Sequence, residues 1–435
     1  MNIIYLHSHD SGRYLEPYGY AVPAPNLAAY VRRATMFRNA YCTAPTCSAS
    51  RAGLLSGMSP HSCGMNGLAH RGFSMDDYSK HLSAWLKRHG YLTVLSGEQH
   101  EAGQPQTIGY DLLLTYKNRH PDSEIHDLNS ARCAAKFISE APEGRPFFLA
   151  CGFFNTHRPY REPQIDPGYV QPPFPVADNA ENRADFAGYI RSAKIMDECM
   201  GIVLDALKNS GQENNTIVLI TTDHGLAMPF MKCSLYDTGI GVNMIMNYPG
   251  NPAAGRVTDA LVSHIDVFPT LCELASLPKP DWLQGVSAVP VFENVKREVR
   301  EEIFAEVTYH AAYEPMRCIR TKRHKLIKYF DWHNDFIPSN TDESDPKKLL
   351  VDGGWLDYQR EREQLYDLYT DPVERINLIG SAAHKEIYNS LSARLHEWME
   401  RTNDPLLTYR HRVPKPVGAV ANKKTTLHPD NEDLE

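Results

Sequence analysis

The chain has 435 residues, 42% of them hydrophobic, with 45 Lys and Arg against 53 Asp and Glu and a formal net charge of −8. That length exceeds one ordinary core, and the interspersed charges leave no basic face or tail of the kind that binds nucleic acid. No apolar run approaches the ~20 residues that span a bilayer. The start MNIIYLHSHD lacks the basic segment, long apolar run and cleavage site of a secretory signal, so a cytoplasmic protein with no membrane partner is expected.

Along the chain, NIIYL (2–6), YLTVLS (91–96), PFFLACGFF (146–154) and TIVLITT (216–222) read as buried strands. Between them lie the amphipathic stretches NLAAYVRRATMF, YSKHLSAWLKRHG and SAKIMDECMGIVLDALKNSG. The alternation predicts an α/β domain over residues 1–300, a large mostly parallel sheet flanked by helices. HLSAWLKRHG and VLDALKNSG each end at a glycine, as helix C-termini often do. After about residue 300 the texture changes. EIFAEV, MRCIRTKRHKLIKYF and QLYDLYTDP predict shorter strands, and KEIYNSLSARLHEWMERT predicts a last amphipathic helix. These make a smaller C-terminal α+β subdomain over 301–405, a small antiparallel sheet plus a helix. The stretch 332–355 reads as a long loop or insertion and 406–435 as an extended tail. The nine cysteines are odd in number and form no CxxC pair, against a disulfide framework or structural zinc.

The four strands end alike. NIIYL runs into HSHD, YLTVLS into GEQH, PFFLACGFF into NTHRP and TIVLITT into DHG. In an open parallel sheet the ligand site lies beyond the carboxyl ends of the strands. His7, His9, Asp10, Glu98, His100, His157, Asp223 and His224 would then share one rim. Singly, such residues are most often bonded loop histidines or helix N-caps. Together they are plausible ligands of a divalent metal.

CSASRAGLLSG, from Cys47 to Gly57, reads as a loop entering a helix. Ser48 or Ser50 would cap it, Ala52 to Leu55 form its body and Gly57 end it. Cys47 would sit at the positive end, where unpaired N–H groups favour an anion and lower a thiol pKa. Arg51, one turn in, adds a fork of donors. The local physics suggests a nucleophile beside a tetrahedral oxyanion; the plainer alternative is a buried cysteine at a helix start.

The same run resembles the signature of the formylglycine-dependent sulfatases of the alkaline phosphatase superfamily: Cys, any residue, Pro or Ala, Ser, Arg, three residues, Leu, Thr or Ser, Gly. The resemblance extends through PNLAAYVRRATMFRNAYCTAPTCSASRAGLLSGMSPHSCGMNG, TDHG followed by KCSLYDTG, and QLYDLYTDPVERINL. Within the family it is most similar to the N-sulfoglucosamine sulfohydrolases, through GMNGL, the spacing from Asp223 to Lys232, and WMERTNDP.

The resemblance implies that a maturation enzyme oxidises Cys47 to an aldehyde. One hydroxyl of its hydrate attacks sulfur and the other later expels sulfate. Asp10, Asp223 and the modified Cys47 would hold one divalent cation. Arg51 would hold the aldehyde hydrate, His157 and Lys232 would bind sulfate oxygens and assist the leaving group, and His100 would polarise the gem-diol or serve as its base. The partners implied are a sulfated small molecule or sugar and the maturation enzyme, and a homodimer is admissible.

Three departures from the family pattern stand out. His9-Asp10 replaces paired carboxylates, Asp223-His224 replaces Asp-Asn, and GEQH puts Glu98 where a lysine is common. A histidine at 224 resembles the phosphonate and phosphate monoester hydrolases, a related branch and an alternative reading beside an aryl O-sulfatase. Ca2+ is expected from oxygen ligands, with Mn2+ or Zn2+ favoured if His9 and His224 bind. Glu98 would salt-bridge a neighbour or bind an amino group of the substrate. In TYHAAYEPMR, the residues Tyr309, His310, Tyr313, Glu314 and Arg317 could reach a sugar, His310 and Arg317 foremost; a polar turn between two strands is the alternative.

Overall fold

A computed structural model describes residues 1–115, 120–409, 411–430 and 433–435. The strands in chain order are β1 Asn2–Ser8, β2 Thr35–Phe37, β3 Ala40–Tyr41, β4 Leu92–Gly97, β5 Leu112–Leu113, β6 Phe147–Gly152, β7 Thr216–Thr222 and β8 Gly241–Val242. They continue with β9 Met244–Asn247, β10 Arg256–Thr258, β11 Val262–Ser263, β12 Glu302–Tyr309, β13 Tyr313–Thr321, β14 His324–Tyr329 and β15 Glu363–Asp367. The main sheet is eight-stranded in the order β10-β2-β9-β7-β1-β6-β4-β5. It is parallel except at β9, which runs antiparallel to both β2 and β7.

The four apolar runs become its centre because both faces are covered. Ile3 and Tyr5 of β1 enter one core, and Ile4 and Leu6 enter the other. Ile217 and Leu219 of β7 divide from Val218 and Ile220 in the same way. Each such side chain contributes roughly 1.5–3 kcal/mol by leaving water, so a continuous apolar run suits a central parallel strand. On one face lie the helices Ser123–Ser139 and Ala180–Asn209, with Ala131, Ile138, Met196 and Val203 turned inward. On the other lie Cys47–Ser56, Leu82–Arg88 and Val267–Leu274, supplying Leu54, Leu86 and Phe268. The helix Ser123–Ser139 starts at Asp122, whose side chain accepts from the Ile125 N–H.

β12 to β15 form a separate antiparallel sheet in sequential order. One face packs on the helix Lys385–Arg401 through Leu391, Leu395 and Trp398. The other, with Ile303, Ala305, Met316 and Ile327, joins the first core of the main sheet. This second sheet therefore forms a wall beside the strand ends. The stretch 332–355 is not an unbroken loop: Asp345–Asp352 is a helix capped by Ser344, whose hydroxyl accepts from the Lys347 N–H. The chain after residue 411 does not run free either. Val420 N–H donates to Arg71 O and Asn422 N–H to Ala311 O, and Ala421 is fully buried. Among the described residues no helix is long and apolar enough to cross a membrane.

Candidate active site

β1 and β7 are parallel neighbours with Ser8 opposite Thr222, so His9-Asp10 and Asp223-His224 leave the sheet side by side. Asp10 bends there at φ 43, a left-handed turn that aspartate tolerates better than most residues. Its N–H donates to Asp223 Oδ1 at 2.8 Å. Gly12, at φ +50, donates to His224 O, and a Cβ on it would meet Gly225 Cα at 3.1 Å, so the two loops close only around a glycine. β6 and β4 bring His157 and His100 to the same rim.

The helix Cys47–Ser56 starts with the cysteine itself and ends at Gly57, φ 69. Neither serine caps it. The N-cap is Thr46, without a side-chain bond; Ser48 Oγ accepts from Ala69 N–H and Ser50 Oγ donates to Asp223 O at 2.6 Å. Arg51 is buried one turn in. Its Nη2 donates to Ser8 O at 2.9 Å and to Asp223 Oδ2 at 3.0 Å, and its Nη1 donates to His7 Nδ1. The expected lowering of the Cys47 thiol pKa is reversed. Burial raises it well above the ordinary value, and Asp10 and Asp223 add to that against Lys232 and Arg51. As a thiol, Cys47 is a poor nucleophile here.

His9, Asp10, Cys47 and Asp223 bring one ligand atom each within 4.8 Å of one another, all buried. His9 Nδ1 lies 3.3 Å from Asp223 Oδ2, yet neither His9 nitrogen nor Asp10 Oδ1 makes a hydrogen bond among the described residues. Buried polar atoms left unpaired are costly, and this set of two carboxylates, an imidazole and the Cys47 position fits a divalent cation. His224 stands at its edge. Nδ1 donates to Gly225 O at 3.0 Å, and Nε2 lies 3.3 Å from Cys47 Sγ and 3.4 Å from Asp10 Oδ1. In the neutral ring Nε2 then carries the lone pair. Burial would raise the Asp223 carboxyl, but His224, Arg51 and His9 hold it well below the usual range.

On the other side of Cys47 stands Lys232. Its Nζ is 2.9 Å from Asp10 Oδ2, 3.1 Å from Asp342 Oδ2 and 3.4 Å from His157 Nε2. Two of these are hydrogen bonds, to Asp10 and His157, while Asp342 is an ion-pair neighbour whose Oδ2 makes no hydrogen bond among the described residues. Burial acts to lower its pKa, and Asp10 and Asp342 more than offset that. His157 Nδ1 donates to Arg158 O at 2.7 Å, which aims Nε2 at the lysine. The His100 ring is edge-on to His9 at 5.0 Å, and burial and Arg51 hold its pKa well below the ordinary value.

These groups open into a cleft of about 580 Å³ lined by Cys47, His100, His157, Lys232, His310 and Asp342, and also by His70, Arg71 and Asp430. The arrangement can hold an anion between a metal site and an ammonium, with imidazoles to move protons. Two expected substrate contacts lie elsewhere. Arg317 is fully buried, donating to Asp404 at 2.6 and 3.0 Å and to Val307 O at 2.7 Å, because its strand position faces the domain interior. Glu98 is buried, with its Oε1 3.5 Å from His126 Nε2, and is not among the residues that line the cleft. His310, in the β12–β13 turn, does line the cleft. Asp342, His70 and Arg71 were not singled out from sequence. Asp342 sits in SNTDESDP, whose composition signals only a loop, and nothing local marks it.

Known proteins resemble this chain in sequence and fold. The family described as Sulfatase matches residues 1–277, and that described as N-sulphoglucosamine sulphohydrolase, C-terminal, matches residues 223–350. The chain is similar to N-sulphoglucosamine sulphohydrolase of Homo sapiens, 27% identical over 440 residues that cover 88% of this chain and 87% of that protein. It is similar in fold to a protein solved in complex with its substrate D-glucosamine-2-N,6-O-disulfate, with TM-score 0.74, 18% identity and 94% and 99% of the two chains covered. It is also similar in fold to the phosphonate monoester hydrolase of Agrobacterium radiobacter, with TM-score 0.72, 19% identity and 95% and 99% covered.

Proposed function

The chain belongs to the sulfatase family, and from that premise we propose that it hydrolyses sulfate from a sulfated sugar, N-sulfoglucosamine first, through a formylglycine made from Cys47. The observation that carries the reading is the position of Cys47 Sγ, in reach of the carboxylates Asp10 and Asp223 and at the floor of the cleft that Lys232 and His157 line. The match of residues 223–350 to the sulphohydrolase C-terminal family supports the choice of an N-sulfated sugar.

Formylglycine supplies, as its hydrate, an oxygen nucleophile in the position of Sγ, which a buried thiol of raised pKa does not. A divalent cation held by Asp10, Asp223, His9 and that oxygen, with His224 at its edge, would supply Lewis acidity to a sulfate oxygen; Ca2+ suits the carboxylates, and Mn2+ or Zn2+ suits the imidazoles. The remaining work falls to this chain's side chains. Arg51 anchors the Asp223 carboxylate and the helix that begins at position 47. Lys232 Nζ binds a sulfate oxygen and passes a proton to the departing nitrogen or oxygen, which leaves poorly without one. His157 Nε2, 3.4 Å away, accepts from the Lys232 ammonium and holds it in place for that transfer. His100, held neutral, accepts the proton of the attacking hydroxyl. The maturation enzyme is a required partner on this reading.

His224 Nε2 at 3.3 Å from Cys47 Sγ favours a second reading, a phosphonate or phosphate monoester hydrolase. Protein co-expressed with a maturation enzyme, assayed on glucosamine N-sulfate, an aryl sulfate and a phosphonate monoester, separates these. Sulfate release from the sulfamate, lost in Cys47→Ala, is expected. Turnover of the aryl sulfate alone would discard the N-sulfated sugar, and turnover of the phosphonate alone would replace the sulfatase reading with the second one.

A further inference from the structure

Asp342 places a second carboxylate against Lys232, at 3.1 Å, although Asp10 already neutralises that lysine at 2.9 Å. A carboxylate in a cleft meant for an anion repels it, so its presence needs another reason. The residue is presented firmly. Asn340, two positions before, accepts from Ala312 N–H at 2.8 Å and donates to Glu314 Oε2 at 2.9 Å. Thr341 O accepts from the buried Lys347 Nζ at 2.9 Å, and the same ammonium donates to Leu427 O at 2.8 Å. The loop is thereby fastened to the β12–β13 turn, to the helix that follows it and to the C-terminal segment. The Asp342 side chain remains 18% exposed within the cleft it lines; its Oδ2, 3.1 Å from Lys232 Nζ, makes no hydrogen bond among the described residues, and His157 and His310 face the same carboxylate. His310, 6% exposed, lies on the same wall with Nδ1 lacking a hydrogen-bond partner.

We propose that Asp342 is a specificity-determining residue that accepts a hydrogen bond from a hydroxyl or ammonium on the sugar, beside the sulfated position. A carboxylate offers acceptors only, so it favours substrates that carry a donor there and disfavours those that present a second anion or a bare ring. The inference rests on the sulfatase reading and names the substrate feature that this wall of the cleft selects.

The test compares wild type with Asp342→Asn, which keeps the shape, and Asp342→Ala, in the matured full chain. On glucosamine N-sulfate, kcat/KM is expected to fall by about tenfold to a hundredfold, the worth of a hydrogen bond to a charged group, mostly through KM. On an aryl sulfate without a neighbouring donor, the fall is expected to be far smaller. Equal losses on both substrates would overturn the assignment and leave Asp342 as a support for Lys232. Binding of glucosamine N-sulfate to the unmatured Cys47→Ala chain, read by calorimetry with and without Asp342→Asn, keeps the two readings apart. A Kd unmoved by the substitution, or none measurable, overturns the assignment. A Kd that weakens as expected, with no turnover by the matured enzyme, supports it and counts against the sulfatase reading alone.

Discussion

Lys232 Nζ donates to Asp10 Oδ2 at 2.9 Å across 222 positions of sequence, so the loop after the main sheet's last long parallel strand is tied to the loop after its first. A sulfate oxygen that accepts from that ammonium shares it with Asp10 and His157, which hold its hydrogen bonds, and with Asp342 paired beside it. Asp10 Oδ1 stays free beside the metal ligands while Oδ2 holds Lys232, so the lysine joins that loop to the cleft where an anion would bind.

Lys232→Ala is therefore expected to lower kcat on any accepted sulfate by about 10²–10³, the usual cost of one donor to a developing anion. Steady-state sulfate release measures it. A loss under about threefold would remove Lys232 from the chemistry.

The unpaired His9 nitrogens and Asp10 Oδ1, with Asp223 alongside, predict stabilisation by divalent metal. At a concentration of 100 Kd the gain is about 2.7 kcal/mol. Thermal unfolding with a chelator and then with Ca2+, Mn2+ or Zn2+ reads it, and Asp223→Asn should abolish the shift. An unchanged Tm with all three cations would refute the site, and the order of the shifts would show whether His9 and His224 outweigh the carboxylates.

How much of this could be read from the chain depends on distance in sequence. TIVLITT coincides with β7, residues 216–222, because an apolar run of that length has few uses other than a strand covered on both sides. The strand-end clusters followed from topology alone, since parallel strands deliver their next residues to one edge. Gly57 ended its helix as expected, at φ 69. Ser48 and Ser50 were illegible as caps because either hydroxyl suits that role; their partners, Ala69 and Asp223, are set by tertiary packing. The thiol at position 47 was misjudged for a related reason. Helix-end polarity is local and visible, whereas burial beside Asp10 and Asp223 is not. Asp342 meets Lys232 through a loop of a different sheet, and no local pattern encodes that.

Arg317 separates a structural role from a substrate role. It is fully buried against Asp404, with Glu306 at 3.5 Å and His61 paired to Glu306 beyond. Arg317→Met strands two buried carboxylates and is expected to cost about 3–5 kcal/mol, read as a lower urea midpoint. KM for the sulfated substrate in the protein that remains folded should not move. A raised KM with an unchanged midpoint would return Arg317 to the substrate contacts.

His81 carries a pH dependence that does not involve the active site. Its Nδ1 accepts from Ser83 N–H at 3.1 Å and so caps the helix Leu82–Arg88. Burial alone lowers its pKa from 6.5 to about 3. Between those values the unfolded chain holds a proton that the folded chain refuses, so stability falls as pH drops from 6.5 towards 3 and is fully present above 6.5. The slope from this one group is about 1.4 kcal/mol per pH unit inside the window. His81→Asn keeps a capping acceptor and loses the titration. Urea midpoints of wild type and variant should therefore converge as pH falls from 7 to 4, with the variant overtaking if its cap at neutral pH is as strong. Parallel curves across that range would show that His81 accepts its proton without strain, and that the acid lability of the fold arises elsewhere.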